Sequence, residues 1–253
     1  MLKYSPLESE RFGLRIGRAT FNNAAVDLPA FREELSTSSY DFIVVRVPAG
    51  LHDVVQDLRV QGLEPVHADT LVYYERDLGN DFSNVNHDEP TQVRYGLAEP
   101  DDIDAVSAIA AASFSDYRSH YHAAPEFGHS DILAGYIEWA AGFLIRPTPE
   151  SSTYVARAPS GEVVGFYGCI TGEEDGVRSI EIVLNAILPG HQGAGVYRGG
   201  LSSIMRDASD RGVDRLLIST QVWNYRVQKA WAACGLRLFR AYDTYHVRPM
   251  IRR

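Results

Sequence analysis

The stretch Ile180-Glu181-Ile182-Val183-Leu184-Asn185-Ala186-Ile187-Leu188-Pro189-Gly190-His191-Gln192-Gly193-Ala194-Gly195-Val196-Tyr197 constrains this chain more than any other. An apolar run of strand character feeds a glycine turn, and a helical pattern opens directly behind it. Such a unit aims several backbone N–H groups at one spot on a helix N-terminus, which is a seat for an anion. Gly193 and Gly195 remove side chains where the main chain must approach a diphosphate, and glycine reaches positive φ without steric cost. The dinucleotide pattern would need a third glycine at Arg198, and a Walker loop would need Gly-Lys-Ser/Thr; neither stands here.

Around this unit the periodicity predicts alternating strands and helices. Residues 14–19, 42–47 and 65–74 read as strands, with helices over 28–35 and 52–61 between them. The polar, Asn/Asp/Ser-rich run 78–91 reads as a linker. Beyond it come a strand at 93–98, helices from Pro100 and over 131–143, and strands at 153–158, 163–170 and 178–187. A helix from the glycine loop to about Arg211, a strand at 215–220, a helix over 224–233 and a strand pair within 236–247 complete the chain. This organisation predicts an α/β module over 1–77, a linker over 78–91 and a larger domain over 92–253. A weak repeat at an offset of 173 residues sets Ile43-Val44-Val45 on Leu216-Leu217-Ile218 and Gly62-Leu63 on Gly235-Leu236. The first copy has no glycine turn, so a single cofactor site is expected.

Apolar residues make up 45 % of the 253, enough for a packed core. A net charge of −9, from 33 acidic against 24 basic residues, argues against nucleic acid, which needs a basic face, and tolerates an amine substrate. No apolar run reaches the roughly 18 residues of a membrane span, and the start Met1-Leu2-Lys3-Tyr4-Ser5-Pro6 has no secretory h-region, so a cytoplasmic location without membrane partners is expected. Cys169 and Cys234 lack metal-ligand spacing, and no metal is expected.

The loop Gln192-Gly193-Ala194-Gly195-Val196-Tyr197 resembles the acyl-CoA loop of the GNAT superfamily, Gln/Arg-x-x-Gly-x-Gly/Ala, with Tyr197 in the place of the last small residue. The resemblance implies an α/β (α+β) GNAT fold with a central mixed, splayed sheet flanked by helices, preceded by a smaller truncated GNAT-like module. It implies acetyl-CoA as cofactor, contacted by Ile187, Leu188, Gln192, Gly193, Ala194, Gly195, Val196 and Tyr197, with Asn224 and Trp231 from the following helix. Gly235-Leu236-Arg237-Leu238-Phe239 resembles the family's closing segment. The opening Leu7 to Ile16, Phe114 to His122 and Tyr136-Ile137-Glu138-Trp139 resemble the dTDP-fucosamine acetyltransferases, which implies an amino-sugar nucleotide as acceptor. In those relatives an Arg stands in the place of His120.

Amide formation needs a neutral amine, a base for its proton and, optionally, an acid for the departing thiolate. Glu181, eleven residues before Gln192, is the first candidate base, with His120 and His122 as alternatives. Strand alternation predicts Glu181, Val183 and Asn185 on one face and Ile180, Ile182 and Leu184 on the other. Trp231 stands where the family keeps its acidic Tyr, and an indole N–H donates no proton at useful pH. The role is then vacant or falls to Tyr197, Tyr242 or Tyr245; the expected catalytic set is Glu181, Tyr197 and Tyr245. Arg118, His120, Tyr121, His122 and Asn185 are the expected acceptor contacts. The expected reaction is N-acetylation of a small-molecule primary amine, and self-association into a homodimer is compatible with it. An acyl-CoA-binding regulatory module and an O-acyltransferase are the competing readings.

Overall fold

A computed structural model of the chain describes residues 1–22, 27–79 and 92–249; most of the expected linker lies outside the described residues. The strands are β1 (Leu2–Tyr4), β2 (Ile16–Thr20), β3 (Phe42–Pro48), β4 (Val66–Asp77), β5 (Arg94–Leu97), β6 (Ser151–Arg157), β7 (Val163–Glu174), β8 (Val177–Ile187), β9 (Arg215–Gln221) and β10 (Arg237–Val247). The helices are α1 (Pro6–Phe12), α2 (Leu28–Thr37), α3 (Asp53–Val60), α4 (Ile103–Phe114), α5 (His129–Ile145), α6 (Val196–Asp210) and α7 (Tyr225–Ala233). The periodic segments became the expected elements, shifted at their ends by a few residues. Short β1 and α1, which carry no long hydrophobic period, escaped the pattern. The expected strand pair at 236–247 is one continuous strand, β10, because Tyr242–Val247 pairs residue for residue with β3 and no turn interrupts it.

The chain forms two compact units. One gathers the described residues of Met1–Val72, Arg118–Ile132 and the described residues from Arg240 on. The other gathers the described residues of Tyr73–Tyr117 and Leu133–Phe239. This differs from a division at residues 77 and 92, and strand pairing gives the reason. The second half of β10 lies along β3 in the first unit, while the second half of β4 passes into the other unit, where it neighbours β9. Each repeat thus gives the other its last strand.

In the first unit the strand order is β1-β2-β3-β10-β4, with β2 parallel and β10 antiparallel to β3. Its apolar core lies on one sheet face, where Ile43, Val45, Val47, Ala19 and Val247 meet Phe31, Val54 and Leu58 of α2 and α3. The helix α2 starts on Asp27, whose carboxylate accepts from Ala30 N at 3.1 Å. In the other unit the order is β4-β9-β8-β7-β6-β5. This sheet is mixed and covered on both faces: one cluster joins Tyr167, Cys169, Ile180, Ile182 and Ile218 to Leu201, Ile204 and Met205 of α6. A second joins Phe166, Leu184 and Ala186 to Val106 and Ile109 of α4. No helix among the described residues is long and apolar enough to cross a membrane.

Two glycines let α6 lie close to its sheet. Tyr95 Oη on β5 donates to Val196 O at 3.0 Å, and Tyr167 Oη on β7 donates to Tyr197 O at 3.0 Å, which pins the first turn of the helix. A Cβ on Gly199 would sit 2.3 Å from Tyr95 Oη, and one on Gly200 2.2 Å from Tyr167 Oη. Gly200→Ala must therefore push a buried phenol off its acceptor, and we expect about 1–3 kcal/mol of destabilisation, read as a lower denaturant midpoint at unchanged slope.

Candidate active site

The strand β8 carries the site, and a bulge decides where its side chains point. Asn185 pairs with Tyr167 and Leu184 with Gly168, but Ile182 pairs with Cys169, so Val183 is an extra residue. Directly opposed residues of antiparallel strands share a face. Asn185 therefore faces the α6 side with Tyr167, together with Ile180 and Ile182. Glu181 and Leu184 face the α4 side. The expectation that Glu181, Val183 and Asn185 share one face fails at the bulge. Buried and half-buried residues still alternate from Ile180 to Asn185, because both sheet faces are covered.

The same place marks the parting of two parallel strands. β8 pairs with β9 only from Ser179 with Arg215 to Ile182 with Ile218, although β8 runs on to Ile187 and β9 to Gln221. Past that rung the edges diverge, and their backbone groups are left for a guest strand or a linear ligand. The glycine loop closes one end of the gap. Gly193 and Gly195 adopt φ of 86° and 80°, which only glycine takes readily. Gly195 is the N-cap of α6 and carries no capping side chain, so the first-turn N–H groups have no intrahelical acceptor. Gln192 holds the loop in shape: its Nε2 donates to Ile187 O at 3.0 Å and its Oε1 accepts from Arg226 Nη1 at 2.8 Å. Exposed Arg226, five residues after the end of β9, adds a positive charge beside Gly193 that no motif announced. A diphosphate-bearing cofactor fits this cradle.

At the other side of the gap stands a polar rack. Asn224 does not cap α7 with its side chain; its Nδ2 donates to Thr220 Oγ1 at 3.1 Å. Tyr117 Oη lies 3.4 Å from the same Thr220 Oγ1 and donates to Gln221 Oε1. Gln221 alternates with Leu217, the partner of Glu181, so Tyr117 reaches the face of β9 on which Glu181 stands. The Tyr117 ring packs against Trp223 with centroids 5.5 Å apart and against Phe114 at 5.5 Å. Sequence reasoning passed over Tyr117 because 103 residues separate it from Thr220.

The other expected residues are placed as follows. Ile187 is buried and Leu188 half-buried at the loop entrance, while Ala194 is exposed and Val196 buried. Trp231 is 1 % exposed, packs on Tyr74 at 5.2 Å, and donates from Nε1 to Tyr197 Oη at 2.9 Å. Burial pushes the Tyr197 phenol well up, and only then does the Trp231 hydrogen bond draw it partly back. This pair belongs to the core beneath the loop. Tyr245 lies in the other unit, half-buried against its apolar core, with its phenol raised by burial. Tyr242 is buried there too. His120 and Tyr121 are tied into an internal network of that unit, whereas Arg118 and His122 are exposed. Burial and the neighbouring Arg18 charge hold His120 far below the usual imidazole range, so it is neutral.

The Acetyltransferase (GNAT) family model matches residues 108–236, half of the chain. Uncharacterized N-acetyltransferases of Mycobacterium bovis and Mycobacterium tuberculosis are 24 % identical over 140 residues, 54 % of this chain and 84 % of theirs. Among solved structures, a GCN5-related N-acetyltransferase from Sphaerobacter thermophilus superposes with a TM-score of 0.55 at 16 % identity, over 81 % of this chain and 59 % of its own, so the chain spans under two thirds of that protein. A GCN5-related N-acetyltransferase from Kribbella flavida gives 0.55 at 14 % identity over 93 % and 81 %. By its family match and its fold, the chain belongs to the GNAT family of N-acetyltransferases, whose acyl donor is acetyl-CoA.

Proposed function

We propose that this enzyme transfers the acetyl group of acetyl-CoA to a primary amine of a small molecule, an amino sugar carried on a nucleotide, by direct attack in a ternary complex. The observation that carries the reading is the placement of Glu181 and Tyr117 toward one face of the parted strands β8 and β9, next to the uncapped loop at Gly195. The loop N–H groups, with Gln192 and Arg226 behind them, seat the diphosphate. Acetyl-CoA supplies an activated thioester. Glu181, directly or through one water, takes a proton from the substrate's ammonium group, and the neutral amine so formed attacks the thioester carbonyl. Tyr117 Oη gives its proton to the departing sulfur, whereas the Tyr197 hydroxyl is taken up as the acceptor for buried Trp231. Thr220, whose Oγ1 already accepts from Asn224, turns its own hydrogen toward the phenolate that results. The nucleotide-linked amino sugar rests on the likeness of the opening segment and of Phe114 to His122 to the dTDP-fucosamine acetyltransferases. A screen of amino-sugar nucleotides and aminoglycosides for release of free CoA tests it. Binding of acetyl-CoA without release for any amine would favour a regulatory acyl-CoA module instead.

The acid has its own test. Tyr117→Phe keeps the ring packing and removes the hydroxyl. With acetyl-CoA as donor, kcat should fall about tenfold, less than the usual ~10²–10⁴ because a thiol of pKa about 8.5 leaves partly unaided. With an acetyl thioester of a much more acidic aromatic thiol the variant should match wild type. An equal loss with both donors would reduce Tyr117 to a packing role.

A further inference from the structure

The sheet face of the first unit opposite its helix-covered core mixes buried Phe42 and Val44 with a set of polar side chains. On it stand Arg18 of β2, Arg46 of β3, and Thr244 and His246 of β10; in register, Arg46 lies between Thr20 and Thr244, and Val44 between Arg18 and His246. Most of the charge here is spoken for. Glu8, only 5 % exposed, accepts from both Nε and Nη2 of Arg18, from Ser5 Oγ at 2.6 Å and from Tyr121 Oη at 2.6 Å. Burial would raise the Glu8 carboxyl, but the Arg18 hydrogen bonds and charge hold it below the ordinary range. Arg18 Nη2 also lies 3.5 Å from His120 Nε2, and since a guanidinium only donates, that nitrogen is the acceptor. His120 Nδ1 then carries the hydrogen and donates to His246 Nε2 at 3.0 Å, which leaves His246 neutral with its hydrogen on Nδ1. Burial drives both imidazoles down, His246 to about 4, in agreement with two neutral rings.

Arg46 is the exception. It is half-buried, its one hydrogen bond runs from Nε to Thr244 Oγ1 at 3.4 Å, and no carboxylate among the described residues is within ion-pair reach. It nevertheless lies near enough to His120 to disfavour a positive charge there. Glu8 is committed to Arg18, and Glu126 is committed to Arg248. In a chain of net charge −9, a half-buried guanidinium whose Nη atoms are unclaimed keeps a desolvation cost that a ligand would offset. A fixed fork of donors beside two threonine hydroxyls matches the two oxygens of one anionic group.

We propose that Arg46, with Thr20 and Thr244 beside it, is an oxyanion-binding site of the first unit, taking a phosphate or carboxylate group. Calorimetry with inorganic phosphate and, separately, acetate on the full chain at low ionic strength tests it, with thermal melting as a check that variants fold. Wild type should bind at least one of the two, and the tighter one names the group. Arg46→Gln should weaken binding roughly tenfold to a hundredfold, and Arg46→Lys, which keeps the charge and loses the fork, should fall between. Arg248→Gln should leave it unchanged. No binding of either anion by wild type, or equal binding by Arg46→Gln, would overturn the site while leaving acetyl transfer intact.

Discussion

Glu181→Gln should lower kcat at neutral pH by about 10²- to 10⁴-fold while leaving the Kd for acetyl-CoA nearly unchanged. The substitution keeps the shape and hydrogen-bonding capacity of the side chain and removes only its basicity. Glu181 stands on the last stretch of β8 still paired with β9, one residue before the final rung at Ile182 and Ile218. It faces the α4 side, away from the α6 side on which the bulge sets Asn185. A base at that point meets an amine arriving over the α4 face without touching the seat of the diphosphate, which is why rate and cofactor affinity should separate. Activity should recover partly as pH rises and more of the amine is already neutral. Steady-state rates across about pH 6 to 9, with acetyl-CoA binding measured in parallel, check this. A variant that keeps wild-type kcat/KM throughout would show that Glu181 is not the base.

Gly195→Asp should weaken acetyl-CoA binding by about 10²-fold or more, roughly 2.7 kcal/mol. Two effects act in the same direction. The residue holds φ of 80°, where an L side chain costs roughly 1–2 kcal/mol. The new carboxylate would also occupy the N-cap and accept the first-turn N–H groups of α6 that are otherwise left to the diphosphate. The new cap offsets part of that backbone cost, so the variant should still fold, with at most about 1–2 kcal/mol of lost stability, while its ligand affinity falls. Gly195→Ala carries the backbone cost without the charge and should lose less, so the pair of calorimetric titrations splits strain from repulsion. Unchanged affinity in Gly195→Asp would place the diphosphate elsewhere.

What the sequence determined by itself was local. The glycine turn, the helix behind it and the hydrophobic periods are written within a few residues of one another, and steric and burial preferences of that range survive in any fold the chain adopts. So positive φ at Gly193 and Gly195 was legible, as was the alternation of buried residues along β8. The fold class followed from the likeness of this glycine loop to that of a known family. Tertiary structure decided everything that depends on which segment meets which. The extra residue at Val183 exists only in the register of β8 against β7, and it turns Glu181 and Asn185 to opposite faces of the sheet. The exchange of final strands between the two repeats, which keeps β10 in one piece and moves the boundary between units, is a matter of pairing across long loops. Tyr117 at Thr220 and Gln221, Arg226 on Gln192, and Trp231 on Tyr197 are meetings of residues from 34 to 104 positions apart. No propensity encodes such contacts, because their energy is released only when the core that brings the segments together has formed.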